Sequence, residues 1–182
     1  MAIVHDDFLR HPVPSTPYKV VGSIPFGART SAILTRLTEP EGATTDAILI
    51  VQREAAERHA GGPYAPETLR SLLLKPWWQI EIGRRLRRTD FDPPPSVDTV
   101  VLWLARRTRP LVADGEAAAY RRFVRESFGR RGRTAGRCLS ADLTRRQVRR
   151  LSADLRFDAS APPSHLSFDQ WLGVFRLVAA KQ

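Results

Sequence analysis

The chain contains a single cysteine, Cys138, and this scarcity excludes an internal disulfide framework. A chain of this kind suits a reducing compartment, so we predict a cytoplasmic protein. No apolar run approaches the roughly 20 residues that a membrane-spanning helix needs, since the longest runs cover only residues 47–51 and 100–105. The first residues contain no basic segment followed by an apolar stretch. The sequence therefore predicts no secretory signal and no membrane contact.

Patterns that bind metals are also lacking. The four histidines do not have the spacing of metal ligands, and one cysteine cannot complete a zinc site with them. We therefore predict no metal centre. The glycines of "GRRGRTAGR" (129–137) resemble a phosphate-binding loop, but no strand precedes them and no Lys-Ser/Thr pair follows. We predict a flexible loop that faces phosphates there.

Lysine is scarce, and arginine supplies almost all of the positive charge. The formal net charge is +10. Residues 106–150 contain fourteen arginines against four acidic residues, so the excess in this segment equals that of the whole chain. A clustered cationic surface is typical of a protein that binds a polyanion. The alternative is a solvated helical surface in an arginine-biased sequence; we favour contact with nucleic acid.

Strand patterns alternate with helical patterns up to about residue 107, and only helical patterns follow. The predicted strands are a strand end at 1–5 and runs at 18–22, 47–52, 77–82 and 99–105. The predicted helices are 27–37, 53–59, 67–74, 116–128, 143–155 and 168–180. Asp142 and Ser167 are candidate caps for the last two. This order predicts an α/β lobe over 1–107 and a small all-helical basic domain over 108–182.

A proline-stiffened turn, Ser23-Ile24-Pro25-Phe26, separates the strand ending at Gly22 from the first helix. In open α/β sheets, ligands bind beyond the carboxyl ends of strands. A turn that carries a hydroxyl group and an aromatic ring at this point is either a tight connection or a part of an active site.

Five segments, in their order and spacing, resemble the Erm-type 23S rRNA adenine N6-methyltransferases, which are related to the KsgA-like dimethyltransferases. They are "DDFL" (6–9), "VVGSIPFGARTSAIL" (21–35), "ILIVQREAAERHAGG" (48–62), "WWQIEI" (77–82) and "FDPPPSVDTVVL" (91–102). The resemblance covers roughly residues 4–112, and the basic helical tail matches in character. It implies a Rossmann-like class I methyltransferase sheet, S-adenosylmethionine as the methyl donor, and an unpaired adenine of 23S rRNA as a macrolide-resistance target.

The resemblance assigns the catalytic turn residue by residue. Ser23 and the main-chain carbonyl of Ile24 would accept hydrogen bonds from the exocyclic amine of the target adenine. Pro25 disfavours a helical conformation at Ile24 and has no N–H of its own. Phe26 would stack on the base, as aromatic side chains do in single-strand recognition. Where the family commonly has asparagine, this chain has Ser23, which is shorter and lacks the amide carbonyl.

Further site residues follow from the same resemblance. Asp7 matches the acidic residue that binds the adenine of the cofactor, and Ser23 is expected beside the same pocket. The alternative is that Asp7 is an ordinary turn residue. Phe91 matches a ring on the far side of the target pocket, and its alternative is an apolar plug under the proline turn. The arginines expected to contact the RNA backbone are Arg121, Arg122, Arg145, Arg146, Arg149 and Arg150.

One part of the family pattern is missing. Family members bind the cofactor through a glycine-rich loop and a second acidic residue, whereas only six residues precede Asp7 and the chain has no G-x-G motif. We therefore expect an amino-terminally truncated sheet with an open edge at Val20 and Val21, which favours aggregation. The alternatives are a longer working enzyme, a remnant that folds poorly, and a non-catalytic rRNA-binding module. We expect a monomer.

Overall fold

The computed structural model describes residues 3–130 and 133–180. The chain forms two compact units, namely Met1–Glu57 with Trp78–Thr108, and Arg58–Trp77 with Arg109–Gln182. The sequence pattern predicts residues 58–77 as part of the first domain, whereas in the structure they belong to the second unit. The roles predicted for the two domains stay predictions.

The first unit is built on a four-stranded mixed sheet with the order β1-β2-β4-β3. Its strands are β1 (Tyr18–Ser23), β2 (Thr44–Gln52), β3 (Trp78–Leu86) and β4 (Thr99–Arg106). β1 pairs in parallel with β2, and β4 runs antiparallel to both β2 and β3. Consequently β1, β2 and β3 all end at one side of the sheet, which we call the carboxyl edge.

The two helices of this part of the chain are α1 (Ala28–Leu37) and α2 (Arg53–Ala60). Leu34 and Leu37 of α1 are buried, as are Leu49 and Val51 of β2. This burial follows the 3.6-residue period of a helix and the two-residue period of a strand. One face of the sheet therefore forms the core of the first unit.

The other face of the sheet carries an exposed apolar row. Val21 pairs with Ile48, and Ile48 pairs with Trp103 in the next strand. These side chains are 79%, 45% and 51% exposed, respectively. Within the described ranges, β1 pairs only with β2, so its outer edge is open as the sequence predicts.

The second unit consists of helices around an aromatic core. They are α3 (Leu69–Leu74), α4 (Ala117–Gly129), α5 (Ala135–Leu139), α6 (Arg145–Asp154) and α7 (Phe168–Ala179). The ring of Tyr120 meets the edge of Phe175 at 5.1 Å between centroids, and Phe123 contacts both Phe175 and Trp171. Single 3₁₀ turns occur at Arg88–Asp90, Asp114–Glu116 and Pro163–His165.

Three of these helices begin with a reciprocal capping box. The side chains of Thr68, Thr144 and Ser167 each accept a hydrogen bond from the backbone three residues on, and the residue there returns one. The prediction of Ser167 as a cap is confirmed. The prediction of Asp142 is wrong because Thr144, with Gln147 at the third helical position, satisfies the first turn of α6 from both directions.

The other long elements of the sequence prediction are confirmed to within a few residues, with two exceptions. Residues 3–5 form no strand, and residues 1 and 2 lie outside the described residues. The predicted loop at 129–137 contains the start of α5, where the N–H of Gly136 donates to the carbonyl of Ala159 at 2.9 Å. A Cβ atom on Gly136 would lie 3.1 Å from that oxygen, so this glycine permits close packing. Gly132 lies outside the described residues.

Candidate functional site

The turn after β1 is held to the neighbouring strand and to the first helix. The N–H of Ile24 donates to the carbonyl of Ile50 at 3.2 Å, which continues the β1–β2 pairing beyond Ser23. The buried hydroxyl of Thr30 donates to the carbonyl of Pro25 at 2.6 Å. Both bonds fix the backbone at the point where it leaves the sheet.

Gly27 turns the chain into α1. Its φ of 92° and ψ of −146° lie where residues with a Cβ atom are strained. The backbone can therefore reverse directly after Phe26. As a result, the turn stands at the carboxyl edge, immediately before the helix.

Two oxygen atoms of this turn are available to a ligand. None of the described residues donates a hydrogen bond to the hydroxyl of Ser23 or to the carbonyl of Ile24. The ring of Phe26 next to them is 36% exposed. The structure thus places two acceptors and an aromatic ring together, which is the set of groups that the sequence assigned to this turn.

The connection between β3 and β4 lies at the same edge and carries Phe91, which is half-buried. This connection is tied down at Asp98. The N–H of Arg53 donates to the carbonyl of Asp98 at 2.8 Å, and the carboxylate forms ion pairs with Arg85 at 2.8 Å and with Arg88 at 3.7 Å. The loop is therefore fixed to the ends of both β2 and β3.

A cleft of about 430 Å³ lies beside this loop. Its walls are the end of β2, the first turn of α2 and the β3–β4 connection, and it is lined by Gln52, Arg53, Glu54, Glu57, Arg88, Ser96, Val97 and Asp98. Charged groups of both signs line it, so the cleft suits a polar ligand with hydrogen-bonding groups.

Asp7 has a local structural role. One of its carboxylate oxygens accepts a hydrogen bond from the N–H of Leu9 at 3.0 Å, as in an ordinary turn. The guanidinium of Arg36 donates to the carbonyls of Phe8, at 2.7 Å, and of His11, and so fastens this segment to α1. The second oxygen of Asp7 accepts nothing from the described residues. No hydrogen bond among those residues joins Asp7 to the Ser23–Phe26 turn.

The predicted RNA-contacting arginines are on two helices of the second unit. On α4, Arg121 is half-buried, with its guanidinium carbon 4.6 Å from the ring centroid of Trp77, and Arg122 is exposed. On α6, four exposed arginines lie opposite the buried Val148 and Leu151, and one of them, Arg150, faces Asp154 at 3.6 Å. These four are Arg145, Arg146, Arg149 and Arg150. Their contact with RNA stays a prediction.

Sequence reasoning missed one basic group in the first unit. Four arginines follow the alternating part of β3, namely Arg84, Arg85, Arg87 and Arg88, and all four are exposed. The signal was present as "GRRLRR" (83–88). This run is short beside the larger excess of arginine after residue 106.

No helix within 3–130 and 133–180 is long and apolar enough to cross a membrane. Over the same ranges, no group of three or more His, Cys, Asp or Glu side chains is arranged to hold a metal ion. Burial raises the pKa of the Tyr120 phenol well above its usual value, but this group belongs to the core of the second unit.

Comparison with known proteins decides the family. The profile described as "Ribosomal RNA adenine dimethylase" matches residues 1–180. The chain belongs to this family. It is 33% identical over 177 residues to the mycinamicin-resistance protein MyrB of Micromonospora griseorubida, covering 97% of this chain and 56% of MyrB. It is 38% identical over 137 residues to an rRNA adenine N-6-methyltransferase of Corynebacterium diphtheriae, covering 75% of this chain and 53% of that protein.

The crystal structure of the 23S rRNA methyltransferase ErmE has the same fold. It superposes with a TM-score of 0.86 at 27% identity, over 97% of this chain and 71% of the ErmE chain. The predicted α/β methyltransferase fold and the resemblance to Erm-type enzymes are therefore confirmed. Membership of the ribosomal RNA adenine dimethylase family implies S-adenosylmethionine as the methyl donor. The chain spans about half the length of the curated relatives it matches.

Proposed function

We propose that this protein acts in the S-adenosylmethionine-dependent N6-methylation of an unpaired adenine in 23S rRNA, as a cytoplasmic monomer of the macrolide-resistance type. The observation that carries the proposal is the Ser23–Phe26 turn. It presents two uncommitted hydrogen-bond acceptors and an exposed ring at the carboxyl edge of the sheet. Ligands of open α/β sheets bind at this edge.

The two acceptors suit the exocyclic amine of adenine. The amine has two hydrogens, and its lone pair is delocalised into the ring. If the Ser23 hydroxyl and the Ile24 carbonyl each accept one N–H bond, the amine is fixed in one orientation and its nitrogen can be aimed at an incoming methyl group. The amine would lose one proton to water when the methyl group, supplied by bound S-adenosylmethionine, is transferred to its nitrogen.

The aromatic side chains hold the base. An unpaired adenine can be extracted from its surroundings at a cost of a few kcal/mol. Stacking on an aromatic ring offsets this cost by about 1–3 kcal/mol per base. Phe26, next to the acceptors, would make such a contact, and Phe91, on the β3–β4 connection at the same edge, is assigned to the far side of the base.

The residues present fit one part of the methyl donor. The uncommitted oxygen of Asp7 can accept a hydrogen bond from the adenine amine of S-adenosylmethionine, and Ser23 lies at the strand end where the donor's methyl group is expected. The donor supplies an electrophilic methyl group when it is bound. Asp7 and Ser23 would position it, and the Ser23–Phe26 turn would orient the acceptor.

A second candidate function is binding of rRNA without methylation. It is favoured by the four exposed arginines of α6, which suit phosphates whether or not chemistry follows. RNA is read at single-stranded loops and bulges, so both functions share the same class of target.

The test is methyl transfer by the full chain. Purified protein is incubated with a 23S rRNA transcript and methyl-labelled S-adenosylmethionine, and N6-methyladenine is measured by mass spectrometry after nuclease digestion. We expect methylation to fall by about fivefold or more in Phe26→Ala, because the substitution removes about 1–3 kcal/mol of stacking. Tyr64→Ala is the matched control, because Tyr64 is an aromatic residue of similar exposure, 40%, in the helical unit.

The two functions give different results. Salt-sensitive RNA binding by a folded chain that transfers no methyl group would support the binding module and exclude the enzyme. Equal losses in Phe26→Ala and Tyr64→Ala would remove the assigned role of the turn.

A further inference from the structure

The end of β3 carries a group of cations that no prediction above uses. Arg84, Arg85, Arg87 and Arg88 are all exposed and lie within five residues of one another. We call them the β3 arginine cluster. β3 ends at Leu86, so the cluster lies at the carboxyl edge, where β1 and β2 also end.

A β-bulge shapes this part of the strand. Ile82 pairs with Leu102 and Arg85 pairs with Val100, so three steps along β3 match two steps along β4. The extra residue falls at Gly83 or Arg84. Bulges bend the strand, increase its twist and re-aim side chains, and they are frequent beside active sites. The bulge breaks the simple alternation of the strand, and Gly83, Arg84 and Arg85 are exposed in succession.

Nearby carboxylates neutralise only part of this charge. Asp98 pairs with Arg85 and Arg88, and Asp90 pairs with Arg87 at 3.1 Å. Arg84 forms no ion pair with any carboxylate in the described part of the chain. In the ion pairs of the described residues these four guanidinium groups share two carboxylates, while Glu54 and Glu57 line the cleft beside Arg88 and Glu57 pairs with Arg53.

The distance to the Ser23–Phe26 turn suits one strand of RNA. In the order β1-β2-β4-β3, the ends of β1 and β3 are three strand spacings apart, or about 14 Å at ~4.8 Å per spacing. Phe91 follows Arg88 by three residues, and its N–H donates to the carbonyl of Arg88 at 3.3 Å. An RNA strand with one base at Phe26 would pass the β3 arginine cluster within a few nucleotides.

We propose that the β3 arginine cluster binds the backbone phosphates that flank the target adenine. This inference rests on the proposed function and adds a phosphate-binding surface within the first unit itself. Guanidinium groups match phosphate oxygens in two-point hydrogen bonds, and exposed arginines can exchange a carboxylate partner for a phosphate at little cost. Arg85 and Arg88 also hold the Phe91 loop through Asp98. The Arg87 side chain pairs with Asp90, but the bond from the Arg87 N–H to that carboxylate survives substitution, so Arg84 and Arg87 are the residues to test.

The first measurement is the salt dependence of RNA binding. The affinity of the full chain for a 23S rRNA transcript is measured between 50 and 300 mM KCl, roughly the range in which counterion release is resolved. Each phosphate contact contributes about 0.7 to the slope of log affinity against log salt on a single strand. We expect Arg84→Gln/Arg87→Gln to lower the slope by about 1.4 and to weaken binding. Lys19→Gln is the control, because Lys19 is an exposed, ion-paired cation at the opposite edge of the sheet, and it should change neither quantity.

The second measurement locates the contacts. Ethylation of individual phosphates maps those that the protein needs, and methylation of adenine N1 by dimethyl sulfate maps the base that it holds. In the parent we expect both signals within a few nucleotides of each other. In Arg84→Gln/Arg87→Gln the ethylation signals beside that adenine should disappear, whereas Lys19→Gln should keep them.

The outcomes separate this inference from the proposed function. If substitution of the α6 arginines weakens binding while Arg84→Gln/Arg87→Gln changes neither the slope nor the ethylation pattern, RNA binding stands and the β3 site is overturned. If the parent shows no salt-dependent RNA binding at all, the proposed function fails, and the phosphate site fails with it.

Discussion

Arg106 lies over the indole ring of Trp78, with its guanidinium carbon 4.8 Å from the ring centroid. The same guanidinium donates hydrogen bonds of 2.9–3.0 Å to three carbonyls of the α1–β2 connection, those of Glu39, Pro40 and Gly42, and to the carbonyl of Thr44 at the start of β2. Burial lowers the pKa of Arg106, but the group stays charged at neutral pH. One side chain at the end of β4 thus holds the loop that leads into the neighbouring strand β2.

We expect Arg106→Gln to lower the free energy of unfolding by about 2 kcal/mol, since hydrogen bonds to a charged group are worth about 1.5–3 kcal/mol each and this group is part-exposed. Arg106→Lys keeps the charge but not the forked geometry, so it should fall between the parent and the glutamine variant. Urea denaturation measures all three. Equal stabilities of the lysine variant and the parent would show that charge alone holds the loop.

Gly61 is a second point at which the backbone is strongly restricted. Its φ is +60°, and a Cβ atom would overlap the carboxylate of Glu67 and lie 2.7 Å from the hydroxyl of Ser71. We expect Gly61→Ala to destabilise the helical unit by about 2 kcal/mol or more, through backbone strain and disruption of a buried polar network. Gly115→Ala is the control, because nothing lies within 4 Å of a Cβ at that position. A thermal melt that shows the same loss for both variants would argue against this reading of Gly61.

Tyr120 links stability to alkaline pH. Burial raises the pKa of its phenol, whose hydroxyl donates to the carbonyl of Leu72 at 2.8 Å. In the unfolded chain the phenol ionises near its ordinary pKa of about 10, whereas in the folded chain it stays protonated. The unfolded state therefore binds fewer protons than the folded state above pH 10. The stabilisation contributed by the Tyr120 phenol is complete below that pH and is lost as the pH rises.

We expect Tyr120→Phe to be less stable than the parent by about 1 kcal/mol at pH 8, through the lost hydrogen bond. Above pH 10 the stability of the variant should fall less steeply than that of the parent, and the two slopes should differ by up to about 1.4 kcal/mol per pH unit. Urea denaturation at pH 8, 10 and 11 (values chosen around the ordinary phenol pKa of about 10) measures both effects. Parallel stability curves for the two proteins would contradict the assigned ionisation.

The exposed arginines of α6 should control the affinity for RNA without affecting the fold. Replacing Arg145, Arg146, Arg149 and Arg150 by glutamate leaves the buried Val148 and Leu151 in place. We expect much weaker binding and a salt slope lowered by up to about 3, at ~0.7 per lost phosphate contact. Fluorescence anisotropy with a labelled rRNA fragment measures the slope, and circular dichroism checks the helix content. An unchanged slope would refute the role of these residues.

The apolar row on the open face should limit the solubility of the protein. Trp103 is 51% exposed beside Ile48, and exposed apolar sheet surfaces next to an unpaired strand favour association between chains. We expect Trp103→Gln to reduce light scattering at high protein concentration while changing stability by less than about 1 kcal/mol. Leu102→Gln, on the buried face, should instead unfold the protein. Unchanged scattering in folded Trp103→Gln would exclude the row as the source of association.

The limits of sequence prediction can be seen at particular residues. The apolar runs at Val20 and Leu49 predicted the strands β1 and β2 correctly, because a strand face that packs inward imposes a two-residue period on the side chains. The burial expected for the first run is wrong: Leu49 is buried, whereas every residue of β1 is half-buried or exposed. The end of β3 was missed because the bulge between Ile82 and Arg85 interrupts that period. α5 was missed because Gly136 lowers helix propensity, while its role depends on the distant carbonyl of Ala159. No local pattern contains such a contact.

The candidate site was predictable to a different extent. The Ser23–Phe26 turn was identified from its sequence, and the structure adds which of its oxygen atoms are uncommitted. The carbonyl of Pro25 is taken by Thr30, a pairing that the spacing of five residues alone does not reveal. For Asp7, the structure shows the turn role, and its contact with a cofactor stays a prediction.

The capping boxes of α3, α6 and α7 are made by uncharged side chains, with Thr68 and Ser71 in the first of them. Dissolved ions screen interactions between charges far more than they screen bonds from a hydroxyl or an amide to the backbone. The starts of these helices should therefore keep their geometry over a wide range of ionic strength. In the helical unit, the capped helix starts should therefore tolerate salt, whereas the exposed arginines on the helices should respond to it. A titration with KCl can thus change the charge screening of this surface without melting the structure that displays it.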